Sequence, residues 1–142
     1  MDSAKSFESF GVVSYTAETK IPEFVEFLRK GKVMSTKCRK CGASYSPPQI
    51  NCTRCLSSDM EWQEISGEGQ LLSYTTVFYG PSGFEGQTPY IIGVANFGEG
   101  RNILAVFNKS IPESQITVGM KVKVQPAAIP PDRISYEFTK AE

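Results

Sequence analysis

The chain is short and electrically balanced. It has 142 residues, of which 40% are hydrophobic, with 15 basic and 15 acidic side chains and no histidine. This length suits one compact unit or two small ones, and a net charge of zero disfavours a dedicated nucleic-acid binder, whose affinity comes mainly from cationic contacts to phosphate.

The N-terminal segment, residues 1–20, has no clear hydrophobic period, so we assign it as an arm without predicted structure. It lacks the apolar run of a signal peptide, and no other stretch approaches the roughly 20 apolar residues of a membrane span. We therefore expect a cytoplasmic protein with no membrane partner, in which thiols stay reduced.

Residues 22–30 predict a helix. Pro22 suits the first helical position, where its missing N–H costs nothing. Apolar side chains recur three and four residues apart and so share one helix face: Ile21, Phe24, Val25 and Leu28. Gly31 is placed to end the helix in a left-handed cap.

Residues 33–66 contain all four cysteines, flanked by predicted short strands at 33–36 and 62–65. Cys38 and Cys41 form one C-x2-C pair; after ten further residues, Cys52 and Cys55 form the second. Two such pairs can direct four sulfurs at one centre, and four thiolates suit zinc. Protein groups then fill every ligand position, which predicts one structural ion rather than a catalytic one. Iron in a rubredoxin-like site uses the same ligands and is the alternative.

A segment of this size cannot bury enough apolar surface to fold alone. Metal binding would supply the missing folding free energy. We therefore assign residues 33–66 as a rubredoxin-like zinc ribbon, preceded by the arm and helix in residues 1–32.

The rest of the chain, residues 67–142, has the pattern of an all-β domain. Five predicted strands cover residues 70–79, 90–97, 102–108, 118–125 and 134–139. Five short strands in about seventy residues favour a small closed barrel of the OB-fold type. The predicted fold is thus mainly β, with an N-terminal helix, a four-cysteine zinc ribbon and a C-terminal five-stranded OB-fold barrel.

The second and third predicted barrel strands are apolar on both faces. Such a hairpin is expected to be covered on both sides. The barrel core would cover one side, and the helix, the ribbon or a partner would cover the other.

Positive charge is concentrated on the cysteine segment. Residues 29–54 contain seven basic side chains and no acidic one. Four thiolates around a divalent ion carry a formal charge of −2, so a net excess of about five positive charges remains. The basic side chains nearest the cysteines can bind phosphates, or they can form a solvated face that balances the charge of the thiolates. They are Lys37, Arg39, Lys40 and Arg54.

The connection 79–89 between two barrel strands is long and contains three glycines and two prolines. Phe84 lies in its middle, where it has few local neighbours. Long loops with an apolar tip are often functional, so we expect Tyr79, Phe84 and Tyr90 to contact a partner or ligand. The alternative is a passive connection with Phe84 folded back.

Catalytic groups are scarce. Histidine, the commonest general base, is absent, and the metal site takes every cysteine. No phosphate-loop or dinucleotide pattern is present. We therefore predict no catalytic residue and no enzyme activity.

Several short motifs occur in a characteristic order. They are Cys38-Arg39-Lys40-Cys41-Gly42, Pro47-Pro48, Cys52-x2-Cys55, Gly67-x-Gly69, Ser73-Tyr74-Thr75, Pro89-Tyr90 and Val118-Gly119-x-x-Val122. Together with the preceding helix, this order resembles the archaeal and bacterial family of OB-fold proteins with a rubredoxin-like zinc ribbon, long catalogued as a domain of unknown function. The resemblance covers about residues 22–125.

This resemblance implies an accessory role in acyl-CoA metabolism. Members of the family accompany thiolases, dock beside them and help to hold or transfer CoA thioesters. The expected partners are therefore a thiolase-like or other acyl-CoA enzyme and a CoA thioester, with the cationic ribbon side chains facing the CoA phosphates. A single-stranded nucleic-acid-binding module and a small iron redox protein are the alternatives.

Overall fold

The structure is a computed structural model that describes residues 21–84, 86–129 and 133–141. The predicted N-terminal arm, residues 1–20, lies outside the described residues. The first element is helix α1 (Pro22–Arg29), with Pro22 in its first turn. Gly31 follows at a φ of 86°, the left-handed conformation that glycine adopts without strain, and so ends the helix as predicted.

The cysteine segment forms a three-stranded antiparallel sheet. Its strands are β1 (Met34–Cys38), β2 (Ser44–Tyr45) and β3 (Met60–Glu64), in the order β2-β1-β3. Strand β2 was not predicted, because two residues are too few to show a period. The sheet pairs Lys37 with Glu61 and Cys38 with Met60, so the first cysteine leaves directly from a paired strand.

The C-terminal part is a closed five-stranded barrel. Its strands are β4 (Gly69–Val77), β5 (Tyr90–Asn96), β6 (Asn102–Phe107), β7 (Lys121–Ile129) and β8 (Arg133–Lys140). They close in the order β4-β5-β6-β8-β7, with β6 and β8 parallel and the other pairs antiparallel. This confirms the predicted mainly β fold with a five-stranded barrel.

Strand β7 differs from its prediction, since it begins at Lys121 rather than at residue 118. Val118 is exposed, and Gly119 has a φ of 91°, which no strand residue adopts. The alternation of Val118, Met120 and Val122 imitates a strand, but the backbone turns before the ladder begins. The proposed division of the chain at residues 32 and 66 remains a prediction.

Helix α1 connects the ribbon to the barrel. On one side Phe27 packs against Trp62 of β3, with ring centroids 5.2 Å apart. On the other, Phe24 meets Tyr136 of β8 edge-on at 6.0 Å. Leu28 is buried in the same cluster as the barrel core. The helix face predicted from the apolar period is therefore an intramolecular joint.

Aromatic rings fill the barrel interior. The ring centroids of Phe107 and Phe138 lie 5.4 Å apart, and Phe97 is stacked on Phe138 at 6.4 Å. Gly69 makes room for this arrangement, since a Cβ at its position would lie 2.6 Å from the Phe97 ring. Within the described residues, no helix has both the length and the apolar character to cross a membrane.

We expect Gly69→Ala to lower the free energy of unfolding by about 1–3 kcal/mol, because the methyl group must displace the buried Phe97 ring. Chemical denaturation measures this change. Ser73→Ala, at an exposed position of the same strand, is the control and should stay within about 0.5 kcal/mol of the wild type. Equal stability of the two variants would contradict the tight packing inferred here.

Candidate metal centre and neighbouring surfaces

The ribbon brings the four predicted cysteines together. Their sulfur atoms all lie within 4.8 Å of one another, and all four thiols are free. Cys38 Sγ lies 3.6 Å from Cys55 Sγ, and Cys41 Sγ lies 3.4 Å from Cys52 Sγ. A tetrahedron of Zn–S bonds of about 2.3 Å places sulfurs about 3.8 Å apart. The four side chains therefore fit one tetrahedral metal ion.

Each C-x2-C pair forms a turn whose backbone points at the first sulfur. The Cys41 N–H donates to Cys38 Sγ at 3.5 Å, and the Cys55 N–H donates to Cys52 Sγ at the same distance. The hydrogen bond from the Cys41 backbone is the main cause that lowers the pKa of the Cys38 thiol. These turns thus favour the thiolate form that a metal needs.

Tyr45 adds a contact that sequence reasoning missed. Its hydroxyl lies 3.1 Å from Cys52 Sγ and accepts the Thr53 N–H at 3.0 Å, so its own proton is available to the sulfur. This hydrogen bond is the main cause that lowers the pKa of Cys52 to about 6. Its sequence signal is weak: a lone tyrosine seven residues before the third cysteine.

The fourth thiol behaves differently in the chain without metal. The Ser57 N–H lowers the pKa of Cys55, but burial and the neighbouring cysteines outweigh it and raise the pKa to about 11. Four adjacent thiolates repel one another, so one of them keeps its proton until a cation enters. Metal binding to this site therefore releases protons.

The predicted cationic group on the ribbon is only partly available. The Arg39 guanidinium contacts Asp59, directly before β3, at 3.2 Å and Glu61, within β3, at 3.4 Å. Lys37 is paired with Glu61 in the sheet register. Lys40 and Arg54 are exposed. Strand pairing thus brings acidic groups beside a segment that is purely basic in sequence.

The predicted loop residues are placed in two ways. Tyr79 is 95% exposed, and the adjacent Phe78 is also exposed. Phe84 folds back, with its ring 5.7 Å from that of Tyr90, and remains 38% exposed. The loop therefore combines a packed aromatic pair with two free aromatic side chains.

The outside of the β5–β6 hairpin carries an apolar surface. Side chains alternate across a strand, and the buried, inward positions of this hairpin are Gly93, Ala95, Ile103 and Ala105. The outward positions are therefore Ile92, Val94, Leu104 and Val106, which the register places side by side as Ile92–Val106 and Val94–Leu104. We call these four residues the outer β5–β6 face. Leu104 is 57% exposed, so the described residues leave this face at least partly uncovered.

Comparison with known proteins starts from two matched regions. Residues 25–61 match the family described as ChsH2, rubredoxin-like zinc ribbon domain, and residues 62–125 match ChsH2, C-terminal OB-fold domain. The DUF35 domain-containing scaffold protein of Pyrococcus furiosus is 33% identical over 98 residues, which cover 69% of this chain and 71% of that protein. The chain belongs to the DUF35 family.

Two further relatives and one solved structure are similar to the chain. The scaffold protein of the same name from Methanocaldococcus jannaschii is 30% identical over 92 residues, and the match spans 64% of its length. The benzoylsuccinyl-CoA thiolase subunit BbsA of Thauera aromatica is 29% identical over 128 residues, covering 84% of this chain and 85% of that one. The solved Ltp2-ChsH2(DUF35) aldolase has the same fold, with a TM-score of 0.71 and 23% identity over 86% of this chain and 95% of that chain.

We expect Tyr45→Phe to weaken metal binding about tenfold, because loss of the hydroxyl raises the pKa of Cys52 and removes a hydrogen bond to its sulfur. Competition with a chromogenic chelator at neutral pH measures the affinity. Tyr79→Phe, which removes the hydroxyl of an exposed tyrosine outside the ribbon, is the matched control. Equal affinities of both variants would show that Tyr45 does not stabilise the site.

Proposed function

We propose that this DUF35 protein is a non-catalytic accessory subunit that docks on a thiolase-like acyl-CoA enzyme and helps to bind its CoA thioester. The names of its relatives support this class, since they are scaffold proteins and subunits of a CoA thiolase. The matches to the DUF35 scaffold proteins of Methanocaldococcus jannaschii and Pyrococcus furiosus span 64% and 71% of their lengths. The enzyme partner and the ligand are therefore part of the proposal.

The observation that carries the proposal is the chemistry of the outer β5–β6 face. OB folds bind oligonucleotides on the face of their second and third strands and with the loop between the first two. In this barrel the same position carries four aliphatic side chains and no cation. Charge depletion of this kind is typical of the centre of a protein interface. The face therefore favours a protein partner over the single-stranded nucleic acid considered from sequence.

The loop before β5 extends this surface. Tyr90 and Phe84 form one aromatic pair, while Phe78 and Tyr79 are exposed beside it. Aromatic side chains are enriched where proteins contact one another. We propose that Tyr79, Phe84 and Tyr90 contact the enzyme at the edge of the outer β5–β6 face.

The metal is structural in this proposal, and zinc is the proposed ion. Four protein sulfurs leave no open coordination position, and four thiolates in a tetrahedral arrangement suit zinc. The thiols must stay reduced to hold the ion, so a cytoplasmic site of action is part of the proposal. On the ribbon, Lys37, Lys40 and Arg54 remain candidates for contact with CoA phosphates, whereas Arg39 would first have to leave its carboxylates.

We expect elemental analysis of the purified protein to give one zinc per chain. Removal of the ion by a chelator should unfold the ribbon and leave the barrel, because only the barrel has a large apolar core. Amide NMR spectra test this: signals of 34–64 should collapse while those of β5 and β6 keep their dispersion. Visible absorption from bound iron, or a ribbon that stays folded without metal, would contradict the assignment.

We expect Leu104→Glu to abolish docking, because it places a charge in the centre of the outer β5–β6 face without disturbing the buried side of β6. The measurement is affinity purification of the tagged protein from its native cell at low salt, followed by mass spectrometry of acyl-CoA enzymes. Leu56→Glu makes the same change at an exposed ribbon leucine and should retain the partner.

Two results would count against the docking proposal. Recovery of no acyl-CoA enzyme with the wild-type protein would contradict the function itself. Equal recovery with the wild type and Leu104→Glu would show that the enzyme binds elsewhere on the molecule.

A further inference from the structure

Two cavities adjoin at one end of the barrel, on either side of the segment 108–111. The first has a volume of about 290 Å³ and lies between that segment and residues 86–91, with apolar walls from Ile91, Phe107 and Ile111. The second, of about 430 Å³, lies between the same segment and the ends of β7 and β8. Ile111 lines both cavities, so they share a wall, and we call the pair the depression. Ligand sites are typically about 300–1,000 Å³ in volume.

The charge of this depression is positive. Lys109 lines the first cavity, and Lys123 and Lys140 line the second, whereas no acidic side chain is among their described lining residues. The Lys140 ammonium donates a hydrogen bond to Gln115, which fixes its position. In the part of the chain that the structure describes, Lys109 and Lys123 have no side-chain partner. Two cations are therefore available to a ligand.

The carboxylate that contacts the separating segment is engaged in hydrogen bonds with amide side chains. Glu137 accepts hydrogen bonds from Asn108 Nδ2 at 2.7 Å and from Gln125 Nε2 at 2.9 Å. It lines neither cavity. Its contact with Asn108 instead anchors the start of the segment that separates the two cavities. The segment 108–111 is thus held in place, and its lysine, Lys109, is exposed.

We propose that this depression is the CoA site of the barrel, an inference that rests on the acyl-CoA function proposed above. The phosphate groups bind Lys123 and Lys140 in the second cavity, and Lys109 approaches the pyrophosphate from the separating segment. The neutral pantetheine arm crosses Ile111 and lies in the first cavity against Phe107 and Ile91.

A CoA thioester fits the depression better than it fits the surface of the ribbon. It combines a polyanionic end with a long uncharged chain. The depression offers two lysines in the second cavity, and apolar walls with Lys109 at their edge in the first. On the ribbon, Arg39 is neutralised by two carboxylates and Lys37 faces Glu61. Neither cavity includes a ribbon residue. A bare phosphate or nucleotide would use the cationic half alone.

The test is calorimetric titration of the full chain with CoA and with adenosine 3′,5′-bisphosphate, which lacks the arm. We expect the double variant K109Q/K123Q to bind CoA at least about tenfold more weakly, since each lysine contributes charge-assisted contacts to phosphate. The matched control K121Q removes a lysine from the same strand as Lys123 but from neither cavity, and should bind within about twofold of the wild type. The ribbon variant K40Q/R54Q tests the alternative phosphate site on the ribbon, and a barrel site predicts that this variant binds CoA as the wild type does.

The titration with adenosine 3′,5′-bisphosphate tests the role of the apolar cavity. We expect wild-type protein to bind CoA more tightly than the bisphosphate, and the amide NMR signals of Ile91 and Ile111 to shift with CoA only. Equal affinities and equal shifts would overturn the placement of the pantetheine arm.

The outcomes distinguish a failure of the barrel CoA site from a failure of the proposed acyl-CoA function. Loss of CoA binding in K40Q/R54Q but not in K109Q/K123Q would overturn the barrel site and leave acyl-CoA binding intact. No binding of CoA to the wild-type chain would overturn both. Circular dichroism of each variant confirms that it is folded, and amide shifts of Ser110 and Thr139 on titration give a readout that needs no substitution.

Discussion

Convergence of four sulfurs on one centre is the constraint on which the ribbon depends. The segment between α1 and β4 has three short strands, and its buried side chains are few. Hydrophobic burial of that extent does not offset the conformational entropy of ordering the chain. The two C-x2-C turns and the Tyr45 hydroxyl prepare the sulfurs, and an ion completes the site. We therefore expect the ribbon to be a metal-dependent attachment to a barrel that has its own core.

The barrel divides its surface into chemically different regions. The outer β5–β6 face is aliphatic and uncharged, while the depression at one barrel end carries three lysines. The start of β5 borders both, because Tyr90 and Ile91 lie on opposite faces of the strand. An accessory subunit that contacts an enzyme and a thioester together would require this adjacency of an apolar contact surface and a cationic recess.

Sequence reasoning succeeded where the signal is local. The cysteine spacing predicted the metal centre, the apolar period predicted the helix face, and turn-forming glycines separated the barrel strands. It could not predict features that arise from pairing between distant segments. Asp59 and Glu61 reach Arg39 only because β3 pairs with β1, some twenty residues away in the chain. Tyr45 reaches Cys52 only because a two-residue strand turns its ring towards the metal centre.

The joint between ribbon and barrel contains the only tryptophan of the chain. The Trp62 side chain of β3 packs against Phe27 of α1. One turn earlier in the same helix, Phe24 packs against Tyr136 of the barrel. A movement of the ribbon relative to the barrel must change the surroundings of that indole ring. The protein therefore carries an intrinsic fluorescent reporter at this joint, and no second indole adds background to its signal. Tryptophan fluorescence can follow the coupling between ion, helix and barrel in solution.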